Sequence, residues 1–147
     1  MKKQILYIAA LGLFTFSNAQ DLYPNQVPSV ILNEFNSRFP NASDVEWEMK
    51  GALYNVEFET GWDRDHEVWY DPEGKIVRQK DEITAKELPE AVSQTIKTKF
   101  KGYRIDDVER ISDKGETVYK VEVNSLLKDD WDLVLNDKGE LLSQTPD

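Results

Sequence analysis

One pattern occurs twice in this chain, and that repetition limits the folds open to it more than any single motif does. The step from Pro28 to Pro89 is 61 residues, and Phe39 to Phe100 repeats it. Later landmarks step by 65: Tyr54 to Tyr119, Val56 to Val121, and Asp71-Pro72-Glu73-Gly74 to Asn136-Asp137-Lys138-Gly139. A small insertion in the second copy accounts for the change. A unit of about 60 residues buries little surface and is marginal alone, so the copies are expected to share a core or a continuous sheet.

The first copy covers residues 27–83. Ser29 stands near the first turn of a helix, with Val30, Ile31, Phe35 and Phe39 near helical spacing. Pro40 ends it, because proline has no N–H and restricts the residue before it. Val45, Trp47 and Met49 then alternate with acids and Lys50, and Tyr54, Val56 and Phe58 alternate with Asn55, Glu57 and Glu59. That is the two-residue period of half-buried strands, here joined at Gly51-Ala52. Gly61 to Asp65 reads as a polar connection, His66 to Asp71 as a third strand, and Lys75 to Ile83 as a fourth of edge character.

The second copy covers residues 84–147. Ala91, Val92, Ile96 and Phe100 take the helical spacing, and Gly102 stops the helix. Ile105–Ile111, Thr117–Asn124, Trp131–Leu135 and Glu140–Ser143 follow as strands, with turns at Gly115 and Gly139. The loop Ser125–Asp130 corresponds to Thr60–Asp65 in the first copy. The expected class is α+β: two tandem α-β-β-β-β repeats in one compact unit, an antiparallel sheet with helices on one face.

Residues 1–19 read as a signal peptide: Lys2-Lys3, an apolar run from Ile5 to Phe16, then small residues at Ser17 and Ala19. The run falls short of the roughly 20 residues that span a bilayer, which disfavours an uncleaved anchor. Cleavage leaves residues 20–26 as a lead into the first copy and places the protein outside the cytoplasm, in the periplasm or secreted. Without Lys2 and Lys3 the net charge moves from −10 to −12. Such acidity repels nucleic acid and anionic membranes, and it admits basic partners or divalent cations. With no cysteine, thiol chemistry, zinc–thiolate sites and disulfide scaffolds are excluded.

Val27-Pro28, Phe35, Phe39-Pro40, Ala42, Val45, Trp47, Tyr54, Val56, Phe58, Val68, Tyr70-Asp71 and Gly74, followed by Leu88-Pro89, Ala91-Val92 and Ile96, carry a family resemblance. In that order they resemble the PepSY-like, beta-lactamase-inhibitor-like family of exported Bacteroidetes proteins. The resemblance spans nearly all of residues 20–147. It implies tandem helix-plus-sheet modules outside the cytoplasm and a binding or inhibitory role. It implies no catalytic residue and no cofactor. True beta-lactamase inhibitors of this type use disulfides, which this chain lacks.

His66 is the sole histidine, so any hydroxyl–imidazole–acid triad would need it. With no nucleophile motif nearby it reads as an exposed polar strand residue. Gly61–Glu67 places Asp63, Asp65 and Glu67 at alternate positions, a possible oxygen set for calcium, though without the spacing of an EF-hand loop. Trp47 and Trp131 fall on core-facing positions. Trp62 lies in a loop, and Trp69 alternates to the face opposite Val68 and Tyr70. The expectation is a non-enzymatic module without cofactor, a monomer or small homo-oligomer. It would bind an extracytoplasmic protein or peptide through an open sheet face and the 60–69 loop, with Trp62, Asp63, Asp65 and Trp69 as contacts. The alternative is a calcium- or other cation-binding envelope protein using the acidic 63–67 segment.

Overall fold

A computed structural model describes residues 20–147; the proposed signal peptide lies outside the described residues. A single antiparallel sheet of nine strands runs in strict sequence order, each strand paired with the next. Its members are β1 (Gln20–Leu22), β2 (Ser43–Lys50), β3 (Leu53–Thr60), β4 (Arg64–Tyr70), β5 (Ile76–Glu82), β6 (Arg104–Asp113), β7 (Glu116–Asn124), β8 (Trp131–Asn136) and β9 (Leu141–Pro146). Helix α1 (Ser29–Arg38) precedes β2 and helix α2 (Glu90–Lys99) precedes β6. The two copies join edge to edge through β5 and β6, from Arg78↔Asp113 to Glu82↔Glu109.

Pairing register places both helices on the same side of this sheet. Val68 pairs with Val56 and with Gln79, Gln79 with Ser112, and Arg110 with Tyr119, so these side chains share one face. On that face α1 packs Ile31 and Phe35 against Trp47, Val56, Phe58, Val68 and Tyr70. Helix α2 packs Val92 and Ile96 against Val108, Tyr119, Val121, Val123, Leu133 and Leu135. Each fully buried aliphatic side chain contributes about 1.5–3 kcal/mol, which is where most of the stability comes from in a chain without disulfides. The first core is aromatic, with Phe35 edge-on to Trp47 and Phe58 at 5.3 and 5.0 Å between ring centres; the second is mainly aliphatic.

Both helices start behind a proline and stop at a phenylalanine. Phe39 and Phe100 donate their N–H groups back to Phe35 and Ile96, and Pro40 or Gly102 then prevents another turn. The repeat step changes within one hairpin. β6 and β7 have 10 and 9 residues where β2 and β3 have 8 each.

Residues 20–26 do more than lead in. Gln20–Leu22 pairs with Met49–Trp47 and covers the outer edge of β2, and Pro24–Gln26 makes a short 3-10 turn. Three residues are too few to show an alternating pattern. The span from Gly61 to Asp65 is tighter than a polar connection. Thr60 already pairs with Arg64, so only residues 61–63 turn, with positive φ at Gly61 (65°) and Asp63 (49°).

Candidate functional site: two faces of one seam

The β4–β5–β6 seam between the copies has polar groups on both faces, and they behave differently. On the helix face, Phe58 of β3, His66 of β4, Asp81 of β5 and Arg110 of β6 project into the gap between the two apolar cores. Asp81 is buried at 4% exposure and has a donor for each oxygen. His66 Nδ1 lies 2.8 Å from Oδ1, Arg110 donates to Oδ2 at 2.8 Å, and Gln79 donates to Oδ1 at 2.8 Å. Desolvation alone would raise the carboxyl's pKa. The hydrogen bonds from His66, Gln79 and Arg110 outweigh it and hold the group at about 2.

His66 is therefore not the exposed strand residue its polarity suggested. Its side chain is 12% exposed and its ring stacks on Phe58 at 5.1 Å. It falls on the same face as Val68 and Tyr70, and a polar ring can stay there because Asp81 and Thr60 satisfy both nitrogens. With Nδ1 donating to the carboxylate, Nε2 accepts from the Thr60 hydroxyl at 2.7 Å.

The other face carries no helix. There β2 to β6 enclose an open concavity of about 580 Å³ lined by nine carboxylates and one amine, with Phe58 and His66 also contributing to its wall. Asp44 and Glu46 come from β2, Glu57 and Glu59 from β3, Asp65 and Glu67 from β4, Glu82 from β5, and Asp107 and Glu109 from β6; the amine is Lys80. Register puts acid directly opposite acid at Glu46↔Glu57, Glu57↔Glu67, Glu59↔Asp65 and Glu82↔Glu109. Opposed like charges cost a sheet stability, so packing alone does not select this arrangement. The Glu59 carboxyl is pushed up, first by desolvation and then by the charges of Asp44, Asp63 and Asp65.

At the margin of this face Lys50 reaches Glu67 at 2.9 Å and Glu57 at 3.1 Å. Desolvation opposes its charge, but those bonds dominate and raise the amine to about 12. Asn55 is fully buried here and donates to Glu67 at 3.1 Å.

The sequence-proposed contacts separate into two groups. Asp65 and Glu67 line the concavity. Trp69 lies on the same face, half-buried beneath the Arg78 guanidinium at 4.8 Å and the Lys50 amine at 5.9 Å from its ring centre. Trp62 stands at the tip of the β3–β4 turn, 99% exposed, next to Asp63. The cation set Asp63, Asp65 and Glu67 does not assemble. Asp63 precedes the strand, which breaks the alternation, and Glu67 is occupied by Lys50, Lys80 and Asn55. The acidic triple whose oxygens do converge, within 4.8 Å, is Glu122, Asp132 and Asp147, and Lys120 binds Asp132 at 3.3 Å.

Sequence reasoning passed over Leu126 and Leu127, which are 98% and 95% exposed in the β7–β8 loop. This loop is the counterpart of the Trp62 turn. In a meander both lie at the same end of the sheet, four strands apart, or roughly 19 Å at the usual strand spacing. Two adjacent leucines in a segment otherwise read as polar loop were the available signal.

The profile of the family described as "Putative beta-lactamase-inhibitor-like, PepSY-like" matches residues 15–78 and again 52–143. Solved structures share the fold. A BLIP-like protein from Bacteroides fragilis is 25% identical, with a TM-score of 0.62 over 81% of this chain and 85% of that one. A DUF2874 family protein from Bacteroides uniformis is 22% identical, with a TM-score of 0.63 over 81% and 88%. A protein described as "putative periplasmic" from Bacteroides eggerthii is 20% identical, with a TM-score of 0.65 over 82% and 88%. Comparison with curated proteins gives no match.

Proposed function

The chain belongs to the PepSY-like, beta-lactamase-inhibitor-like family, and on that footing we propose that it is an exported, non-enzymatic, inhibitor-like module that binds a basic protein or peptide. The observation that carries this reading is the open acidic face, where acid opposes acid at four cross-strand residue pairs. A partner bearing lysines or arginines relieves that repulsion on binding and is steered toward the site by its field. Trp62, Asp63 and Asp65 form the near rim, and Trp69 with Glu67 supplies contact area on the face. The exposed Leu126-Leu127 tip is a second apolar contact at the same end. Export is supported by the signal-like residues 1–19 and by a structural neighbour described as periplasmic. No helix among the described residues is long and apolar enough to cross a membrane.

The test is affinity capture with residues 20–147 from the envelope and medium of the cells that make the protein. A Trp62→Ala bait and a Glu57→Gln/Glu59→Gln/Glu82→Gln bait run beside it. One basic protein enriched on the parent, eluted by salt and lost with both variants supports the reading. Equal recovery on all three baits removes the site assignment.

One observation favours a second reading. Thr60, His66 and Asp81 stand in the order hydroxyl, imidazole, carboxylate that acyl-transfer triads use. Three donors hold Asp81 and Phe58 packs the ring, which suits a structural role better. A fluorophosphonate that labels Thr60 in the parent but not in a His66→Ala variant would establish catalysis; an unlabelled parent rejects it.

A further inference from the structure

The two copies differ at one edge. β9 is the counterpart of β5: Ile76, Arg78, Gln79, Lys80 and Asp81 correspond to Leu141, Ser143, Gln144, Thr145 and Pro146, all 65 residues on. Inside the chain β5 receives β6 along its outer edge. β9 pairs with β8 alone, and its other edge is free among the described residues. The two charged side chains Arg78 and Lys80 and the buried Asp81 are replaced on β9 by uncharged residues. Leu141 to Pro146 carries no charge at all, in a chain with 31% charged residues. Native edge strands are guarded by charge, especially lysine, or by proline and bulges; β9 has no charge, which leaves Pro146 and the register shift beside Val134 and Leu135 as its guards.

Backbone direction specifies what the edge offers. The Asp147 N–H bonds inward to the Asp130 carbonyl at 3.2 Å. Alternation along the strand then turns the N–H and C=O of Gln144 outward. Pro146 falls at an outward position too, where its missing N–H costs the ladder to β8 nothing.

We propose that β9 is a self-pairing edge: two copies of the chain align β9 against β9, antiparallel, about a two-fold axis at Gln144. The sheet then continues from one copy into the next, as it already does from β5 into β6. A second copy fits this edge better than other occupants for two reasons. Copies at −12 repel each other at their acidic faces, and the neutral β9 edge is where like meets like at least cost. Pairing of β9 with β1 of another copy would use three residues that include Asp21, and it would repeat head to tail without closing. Pairing β9 with itself closes after one step.

The chain has no cysteine, so a single introduced one reports proximity cleanly. Residues facing each other as a hydrogen-bonded antiparallel pair have Cα atoms about 5.5 Å apart, within disulfide range. A Gln144→Cys variant is expected to form a covalent dimer under mild oxidation, and an Asp21→Cys control is not. Sedimentation of the parent is expected to show mass doubling as concentration rises. A Gln144→Pro variant, which removes the central outward donor, is expected to dimerise on the order of tenfold more weakly with an unchanged circular dichroism spectrum. A single-chain mass at every concentration, cross-linking no faster than the Asp21→Cys control, or a dimer indifferent to Gln144→Pro each overturns the proposal.

Discussion

The two faces of the β4–β5–β6 seam use the same residue types to opposite ends. On the helix face a single acid, Asp81, is buried and surrounded by donors, and its pKa is held at about 2. On the open face many acids stand opposite one another, and Glu59 is pushed up. The first arrangement is complete within the chain: each charge has its partner, and the result is a fixed register between the two copies. The second arrangement is incomplete within the chain. Lys50 and Lys80 pair Glu57, Glu67 and Glu109, but Glu59 and Glu82 have no cation partner among the described residues, and something from outside can supply one. Charge on one side is structure, and charge on the other side is recognition.

Removing the carboxylate on the structural side has the largest expected effect. An Asp81→Ala variant leaves His66 and Arg110 without their shared acceptor. Arg110 is 43% exposed and can turn to water, so the loss sits near the lower end for a broken buried pair, about 3 kcal/mol. Urea unfolding measures it. A loss under about 1 kcal/mol would show that the seam is held by the ladder alone.

Acid titration separates the faces by sign. Asp81 has its pKa depressed from the ordinary 3.8 to about 2. Its stabilising contribution is therefore present above pH 4 and is lost as the pH falls from about 4 to 2, in an amount of about 2 kcal/mol. Glu59 has its pKa raised, so its contribution is present in acid and is lost as the pH rises through the folded value. Unfolding followed from pH 7 to pH 2 should lose its steep acid limb in an Asp81→Asn variant. An unchanged limb would assign acid sensitivity to other carboxylates.

Neutralising the open face works in the other direction. Glu59→Gln and Glu82→Gln each remove one member of an opposed acid pair and are expected to raise the urea midpoint slightly at neutral pH and low salt. The gain should shrink as salt rises. The smallest effect on stability belongs to Trp62→Ala. With 99% exposure it supports nothing in the fold, and its expected change lies within about 0.5 kcal/mol.

Much of this arrangement was legible in the residues. Repetition at 61 and 65, proline and glycine punctuation, and alternation at Trp47, Val56 and Val68 lead to two helices on one antiparallel sheet. Alternation also placed Trp69 on the face away from Val68. The parts that stayed hidden depend on which strand lies beside which. His66 looks exposed until β5 brings Asp81 against it, 15 residues later. The opposed acids look like ordinary solvated charges until register aligns Glu57 with Glu67 and Glu82 with Glu109. Asp63, Asp65 and Glu67 look like a ligand set until the turn at residues 61–63 takes Asp63 out of the strand. β1 is too short to carry a period, and Leu126-Leu127 lies in a segment where no period exists to be broken.

The open-face acids serve binding at the expense of stability. Thermal unfolding and partner capture, measured on one preparation of the Glu57→Gln/Glu59→Gln/Glu82→Gln variant, read both sides of that exchange. A higher Tm together with loss of the captured basic protein is expected. A lower Tm with capture intact would contradict it, and would make the acidic face part of the scaffold.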